Sequence, residues 1–440
     1  MTRLQATEYG SEAGWLRRAC QNTALPPDEM RLLVDKASSR VTSLLGLSES
    51  PLWLHGDNLE AGGVAGLVRL NRNVELEISP KFLSSADTTW REDFFYLANL
   101  STRGRVLSKE ELASSGSARN DLASIVGRAF VNEFQRHARR PLREYRSVRW
   151  RDWRLDGDVD ETELLTPGGD GFEQRGVALE RRNLHNATIR EAAVQLLPIV
   201  SDPAIRLQLT RVRDLIGPQE TLRGLPRKRR LPGRHRRWES LYELSLQILQ
   251  GLGMNLMPSQ LSAPGYVIST WQAWETLVRR ALHLRFSSAS RYHEKHVLGI
   301  RNNVSQVEVE PDLTIHFANC ASIVIDAKYK GRFDRDQRVS EADLYEAMAF
   351  MQAAESPLAI LVYPLAPRNG AYPSTGATAV VERIEVPAGT VIGATLDVRG
   401  ISLRGGFGAV SDGLATLIYG ELEALPDSHR RPLPSIHRAG

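Results

Sequence analysis

The spacing of apolar residues changes period several times along the chain, and each change predicts a different element. It is helical over Asp28 to Leu45, then strand-like at Leu52-Trp53-Leu54-His55, Val64 to Leu70 and Val74 to Ile78, where runs or alternation suit the two-residue period of a strand. Gly62-Gly63 and Asn71-Arg72-Asn73 supply turns. The opening segment therefore predicts a β-rich unit, a hairpin or meander that ends at Ser79-Pro80-Lys81. Helical spacing returns from Asp93 to Thr102 and from Asp121 to Ala138, the latter with Ile125, Phe130, Val131 and Phe134 on a common face. Extended chain over Arg149 to Val159 leads into a glycine-rich loop at Thr166 to Gly171. Amphipathic stretches follow over Asn183 to Val200 and Trp238 to Gly251, the second carrying Leu241, Leu244, Ile248 and Leu249.

A third region reads helix, strand, strand, helix, strand. Its parts are Trp271 to Phe286, a strand that carries Glu308, Glu310 and Asp312 and continues apolar after Pro311-Asp312, a tight turn at Ala318 to Ala321, an apolar strand Ser322 to Lys330, then Ser340 to Ala354 and Leu358 to Tyr363. Beyond Pro364 come a loop rich in Gly, Pro and Ser, a strand-like run from Thr378 to Val386, and a β or mixed tail with Gly405-Gly406-Phe407-Gly408. No internal repeat is visible. The fold class implied is a multidomain α+β or α/β chain. Its expected divisions are a β-rich N-terminal domain over 1–115, a mostly helical connector over 116–255, an α/β domain over 256–385 and a tail over 386–440.

Length agrees with that division, because 440 residues exceed what one hydrophobic core usually serves. With 42% apolar and 25% charged residues the composition is that of ordinary globular protein. No apolar run reaches membrane-span length, the longest lying near Pro357 to Pro367, and Met1 to Gly10 lacks a signal-peptide core, so a cytoplasmic protein is expected. Cys20 and Cys320 are the only cysteines, which argues against a disulfide framework or a cysteine-based zinc site. The net charge of +4 permits a polyanionic partner without demanding one. The basic stretch 223–237 contains prolines and no interleaved aromatics, so it reads as a solvated linker rather than a phosphate-contacting arm. Only seven of the 56 basic residues are lysines, and two of these are Lys328 and Lys330.

Those two lysines follow the densest chemistry in the chain. Glu308, Glu310 and Asp312 are spaced to share one face of a strand, and Asp326 and Lys328 to share one face of the next. Hard divalent cations take oxygen ligands and keep waters, so two or three carboxylates can hold Mg2+, or alternatively Mn2+, with a coordination position left open. Asp312 and Asp326 are the expected ligands, with Ala327 offering its backbone carbonyl. Lys328 is expected to orient the attacking water or to stabilise charge on a pentacoordinate phosphate. Glu275, on the preceding helix, reads either as a further ligand or as a surface glutamate. Glu310 reads either as a ligand or as an acid that discourages edge-strand aggregation.

Other chemistries fit less well. None of the ten histidines has HExxH spacing, and His316 reads as structural or solvent-facing. No lysine follows a glycine, so there is no Walker A loop and no nucleotide is expected on this chain. The glycines near Gly405 lack a strand-to-helix dinucleotide context and read as turns.

Pro311-Asp312, a turn, then Asp326-Ala327-Lys328 between suitable helices resembles the core of the PD-(D/E)XK nuclease superfamily. More narrowly, the chain resembles the McrC family, the nuclease subunit of McrBC-type modification-dependent restriction systems. The resemblance is carried by Pro311-Asp312, Ile325-Asp326-Ala327-Lys328-Tyr329-Lys330, Asp343 to Phe350, Leu361-Val362-Tyr363-Pro364, Leu76 to Phe82 with its Pro-Lys pair, and Trp274-Glu275. It departs where the family usually has Gln and Tyr and this chain has Glu346 and Phe350. The resemblance implies a Mg2+-dependent endonuclease cutting double-stranded DNA in an anti-phage defence complex. It further implies a separate McrB-like AAA+ GTPase hexamer as motor, docked by residues 1 to about 250, with 1–115 as the β-rich docking domain, and recognition of modified cytosine by that partner. Alternatives from other classes are a non-catalytic nuclease-fold adaptor that regulates an NTPase, and a stand-alone nuclease.

Overall fold

The computed structural model describes residues 2–71, 73–83, 90–103, 122–222, 224, 227–251, 266–302, 304–317, 322–329, 339–365 and 374–425. The turn expected at Ala318 to Ala321, together with Cys320 and Lys330, lies outside the described residues, as do parts of the basic stretch and of the loop after Pro364. The chain forms two units, one of residues 1–125 and 265–440, the other of residues 126–264. Both ends of the chain thus join one unit, which differs from the serial division expected from periodicity.

In the first unit a four-stranded sheet has the order Thr2–Thr7, Val74–Ser79, Val64–Arg69, Tyr266–Ser269. Val64–Arg69 and Val74–Ser79 form the expected antiparallel hairpin. Thr2–Thr7 was not anticipated, and it pairs with Val74–Ser79 in parallel. Glu75 and Glu77 are buried despite their charge. Each has an arginine partner: Arg3 reaches Glu75 at 3.2 Å, and Arg91 holds both oxygens of Glu77 at 2.8 and 2.7 Å. The bidentate geometry offsets part of the cost of desolvating the carboxylate. On the other face Leu4, Ala6, Leu76 and Ile78 pack with helices Trp15–Thr23 and Pro27–Leu45.

The same unit holds a six-stranded sheet in the order Ser290–Tyr292, Leu313–Ile315, Ile323–Ala327, Leu358–Pro364, Gly389–Leu396, Thr378–Val386. Ile323–Ala327, Leu358–Pro364 and Gly389–Leu396 run parallel. All seven residues of Leu358–Pro364 are buried, as a strand covered on both faces requires. Val324, Ala359, Leu361, Tyr363 and Val391 pack with Ala347, Phe350 and Met351 of helix Glu341–Ala354, which starts at a Ser340 cap. The indole N–H of Trp274, on helix Thr270–Phe286, donates to the Val362 carbonyl at 3.1 Å.

Two expectations need correcting here. The sheet continues past residue 385 through Gly389–Leu396, and the mixed tail is completed by a helix, Gly406–Ala424, which begins after Gly405 in a left-handed conformation. Buried Val410, Leu414, Ile418 and Leu422 recur at helical intervals. The acidic strand, in turn, is broken. Ser305–Val309 pairs with His296–Arg301 in a separate two-stranded ribbon, and the large sheet resumes only at Leu313. Pro311 has no N–H to donate to a ladder, which ends the ribbon between the two.

The second unit pairs strands Glu144–Asp152 and Phe172–Glu180 along their full length, with Asp158–Val159 beside the latter. Its helices include most of Leu122–His137, the short Glu161–Leu165, Leu184–Leu196, Pro203–Ile216 and Glu239–Gly251. The expected single run from Asn183 to Val200 is cut short. Asp202 caps a new helix by accepting from the Ala204 and Ile205 N–H groups, with Pro203 in its first turn. Part of the basic stretch is tied down: Gly233–Trp238 forms a short 3-10 helix, and Lys228 pairs with Glu243 at 2.5 Å. Among the described residues no helix is long and apolar enough to cross a membrane.

Candidate active site

Asp326 occupies the penultimate position of Ile323–Ala327, and Asp312 immediately precedes Leu313–Ile315. These strands pair antiparallel with Leu313 opposite Ile325, so the two aspartates meet at one end of the ladder. Asp312 Oδ2 accepts the Ala327 N–H at 2.8 Å. Lys328 follows the strand and donates its own N–H to Val362 at 3.0 Å, the carbonyl that Trp274 also uses. Its ammonium lies 2.5 Å from Asp326 Oδ2 and 2.6 Å from Glu346 Oε2. Glu346 therefore contacts the lysine, while Phe350, the other departure from the family pattern, is buried in the core beneath.

Glu275 follows the Trp274 anchor and presents a carboxylate near Asp312. Glu275, His293 and Asp312 each offer one ligand atom, all within 4.8 Å of one another. Glu310 is exposed and stands further out, with Oε1 3.2 Å from His293 Nδ1, and Glu308 pairs with Lys295 at 3.0 Å. The structure thus gathers Asp312 with Glu275, and Asp326 with Lys328. Glu308, Glu310 and Asp312 do not share a strand face, for the reason given above. His316 lies apart, between Ser322 at 2.9 Å and Glu294 at 2.7 Å.

Burial holds the acids of the site toward their neutral forms. Burial pushes the Asp312 carboxyl up, an effect that the Ala327 N–H opposes and the Glu275 charge reinforces. Burial, then the Asp312 charge, pushes Asp326 up to about 6. For Lys328 burial pulls the ammonium down, but Asp326 and Glu346 outweigh it and the net direction is upward. Asp326 Oδ2 is buried, with the Lys328 ammonium as its close partner. Two desolvated carboxylates at one strand end that disfavour each other's charge fit a bound divalent cation.

Sequence reasoning missed two parts of this region. His293 belongs to neither strand of the site and has a positive φ of 49°. Behind the Asp326 strand lies a second cluster. Glu8 accepts from the Thr270 hydroxyl at 2.5 Å, the Lys81 N–H at 3.2 Å and the Tyr329 hydroxyl. The Lys81 ammonium donates to the Tyr329 carbonyl and lies 4.4 Å from the centre of its ring. Burial pushes the Glu8 carboxyl up to about 7, against the lowering effect of these hydrogen bonds. Lys81 and Tyr329 are visible in the motifs; Glu8 carries no local signal.

The fold has solved counterparts. A chain of the refined half-complex from the tetradecameric assembly of Thermococcus gammatolerans McrB AAA+ hexamers with bound McrC superposes with a TM-score of 0.72 at 14% identity, covering 94% of this chain and 100% of that one. A chain of the cryo-EM Thermococcus gammatolerans McrBC complex gives 0.51 at 14% identity, covering 66% and 90% respectively. No curated protein matches. A family model described as McrBC 5-methylcytosine restriction system component matches residues 59–364, which is most of the chain and includes Asp312, Asp326 and Lys328, so the protein belongs to that family.

Proposed function

We propose that this McrBC system component is its metal-dependent DNA endonuclease subunit, with a PD-(D/E)XK-type site. The observation that carries the reading is the meeting of Asp312 and Asp326 at one sheet end, with Lys328 clamped between Asp326 and Glu346. Asp312 and Asp326 would hold Mg2+ or Mn2+, with Glu275 the better placed of the two further acids. Such a cation supplies a polarised phosphate and a bound water of lowered pKa. Lys328 stays protonated between Asp326 and Glu346, which suits it to stabilising developing negative charge rather than to taking a proton. The Trp274 and Lys328 bonds to one Val362 carbonyl fix the helix bearing Glu275 and the end of the Asp326 strand to a common point.

The partner is a McrB-like AAA+ GTPase hexamer acting on double-stranded DNA in the cytoplasm, and residues 1 to about 250 carry the docking surface. Exposed Tyr145, Val177 and Leu179 on the long hairpin of the second unit supply apolar area for such a contact. The test compares wild type, Asp326→Ala and Lys328→Ala for cleavage and for stimulation of partner GTP hydrolysis. Cleavage is expected to disappear in both variants while stimulation persists. Undiminished cleavage by both would overturn the reading, and stimulation without metal-dependent nicking by the wild type would favour a non-catalytic adaptor.

A further inference from the structure

We propose that His293 supplies a nitrogen donor, beside Glu275, to the metal given above to Asp312 and Asp326, with Glu310 as the carboxylate that orients its ring. The inference rests on the metal-dependent reading above and goes beyond it in naming the donor set and the class of cation preferred.

The argument starts from the two ring nitrogens, which face different partners. Nδ1 lies 3.2 Å from Glu310 Oε1. Nε2 lies 3.5 Å from Glu275 Oε1 and 2.8 Å from the Arg279 guanidinium. A guanidinium can only donate, so Nε2 presents its lone pair to Arg279, which leaves Nδ1 as the protonated nitrogen facing Glu310 Oε1. A metal-ligating histidine uses the same arrangement, with one nitrogen open to the cation and the other N–H given to a carboxylate.

The backbone is set for this placement. His293 adopts a φ of 49°, a left-handed conformation uncommon outside glycine although histidine tolerates it better than most. Its N–H points to the Asp312 carbonyl at 3.5 Å, which links the turn to a ligand-bearing residue. Arg279 lies one helical turn from Glu275 and 3.5 Å from it, so its guanidinium supplies the positive charge between Glu275 and His293 in this structure. A divalent cation at this cluster would take over that charge and would have to displace the Arg279 guanidinium from Nε2.

A nitrogen donor changes selectivity. Mg2+ favours an all-oxygen shell, whereas transition-metal ions accept imidazole readily. The site should therefore prefer Mn2+ to Mg2+, and losing His293 should reduce that preference rather than abolish binding. Glu310 then differs in kind from Glu275: it acts through the ring and does not touch the cation.

The test uses the full chain with Mn2+ alone. Pulsed electron paramagnetic resonance of the bound ion is expected to show nitrogen coupling in wild type and none in His293→Ala, which still binds Mn2+. In titrations, Mn2+ affinity should fall roughly tenfold or more in His293→Ala and Glu310→Gln, with Mg2+ affinity nearly unchanged. Wild-type Mn2+ bound without nitrogen coupling, or coupling that survives in His293→Ala, would overturn the assignment and leave the carboxylate site standing. Failure of the wild type to bind Mn2+ would overturn both this inference and the metal-dependent reading.

Discussion

Glu8 offers the sharpest thermodynamic test of how the N-terminal strands and the D-A-K-Y-K segment are joined. Its carboxyl is 1% exposed and burial pushes it from 4.5 up to about 7. A raised folded-state value means that the folded protein holds a proton which the unfolded chain has released. The associated stability is fully present below about 4.5, falls across the interval, and is gone above about 7. A rise from 4.5 to about 7, at about 1.36 kcal/mol per pH unit, corresponds to roughly 3 kcal/mol. Glu8→Gln keeps the volume and much of the hydrogen bonding but cannot ionise, so it lacks this slope. Urea unfolding of both proteins in chelator, from pH 4.5 to pH 8, is expected to show the wild type losing about 3 kcal/mol relative to the variant. Taking the difference between two otherwise identical chains removes the titrations they share. Parallel pH profiles would refute the reasoning, because they would mean that Glu8 is already ionised at little cost when folded.

Two further substitutions test the frame around the site. Asp93 is buried and accepts from the Gly400 and Ser402 N–H groups at 2.7 and 3.0 Å, so Asp93→Ala strands two donors and should cost about 2–6 kcal/mol at 1–3 per group; an unchanged denaturation midpoint would refute this. Gly389 has a φ of 141° and an added Cβ would sit 2.0 Å from the Pro357 carbonyl oxygen. Gly389→Ala should therefore destabilise by at least about 2 kcal/mol, and a calorimetric Tm equal to that of wild type would show that the strand entry adjusts freely.

The elements legible in the sequence were those with strong local period. The helix expected over Trp271 to Phe286 is Thr270–Phe286, Ser340 to Ala354 is Glu341–Ala354, and the apolar strand from Leu358 is Leu358–Pro364. Thr2–Thr7 escaped because its partner is parallel and lies 72 positions away, with no turn between them to announce the pairing. Pro203–Ile216 was signalled by an Asp-Pro cap that the longer apolar run before it obscured. At the site, the motif residues stood out by type and spacing. His293 did not, because its role depends on a backbone turn and on a helix surface that only the folded chain brings together.

The discontinuity of the first unit sets an order of assembly during synthesis. Strand Val64–Arg69, fully buried in the finished sheet, is covered along one edge by Tyr266–Ser269, and the whole of 126–264 is made between them. Until that closing strand emerges, the growing chain carries an open, apolar sheet edge, the kind of surface that recruits wrong partners. The intervening residues form a compact unit of their own, made while that edge is still open. The time taken to make residues 126–264 therefore sets how long that edge stays unpaired.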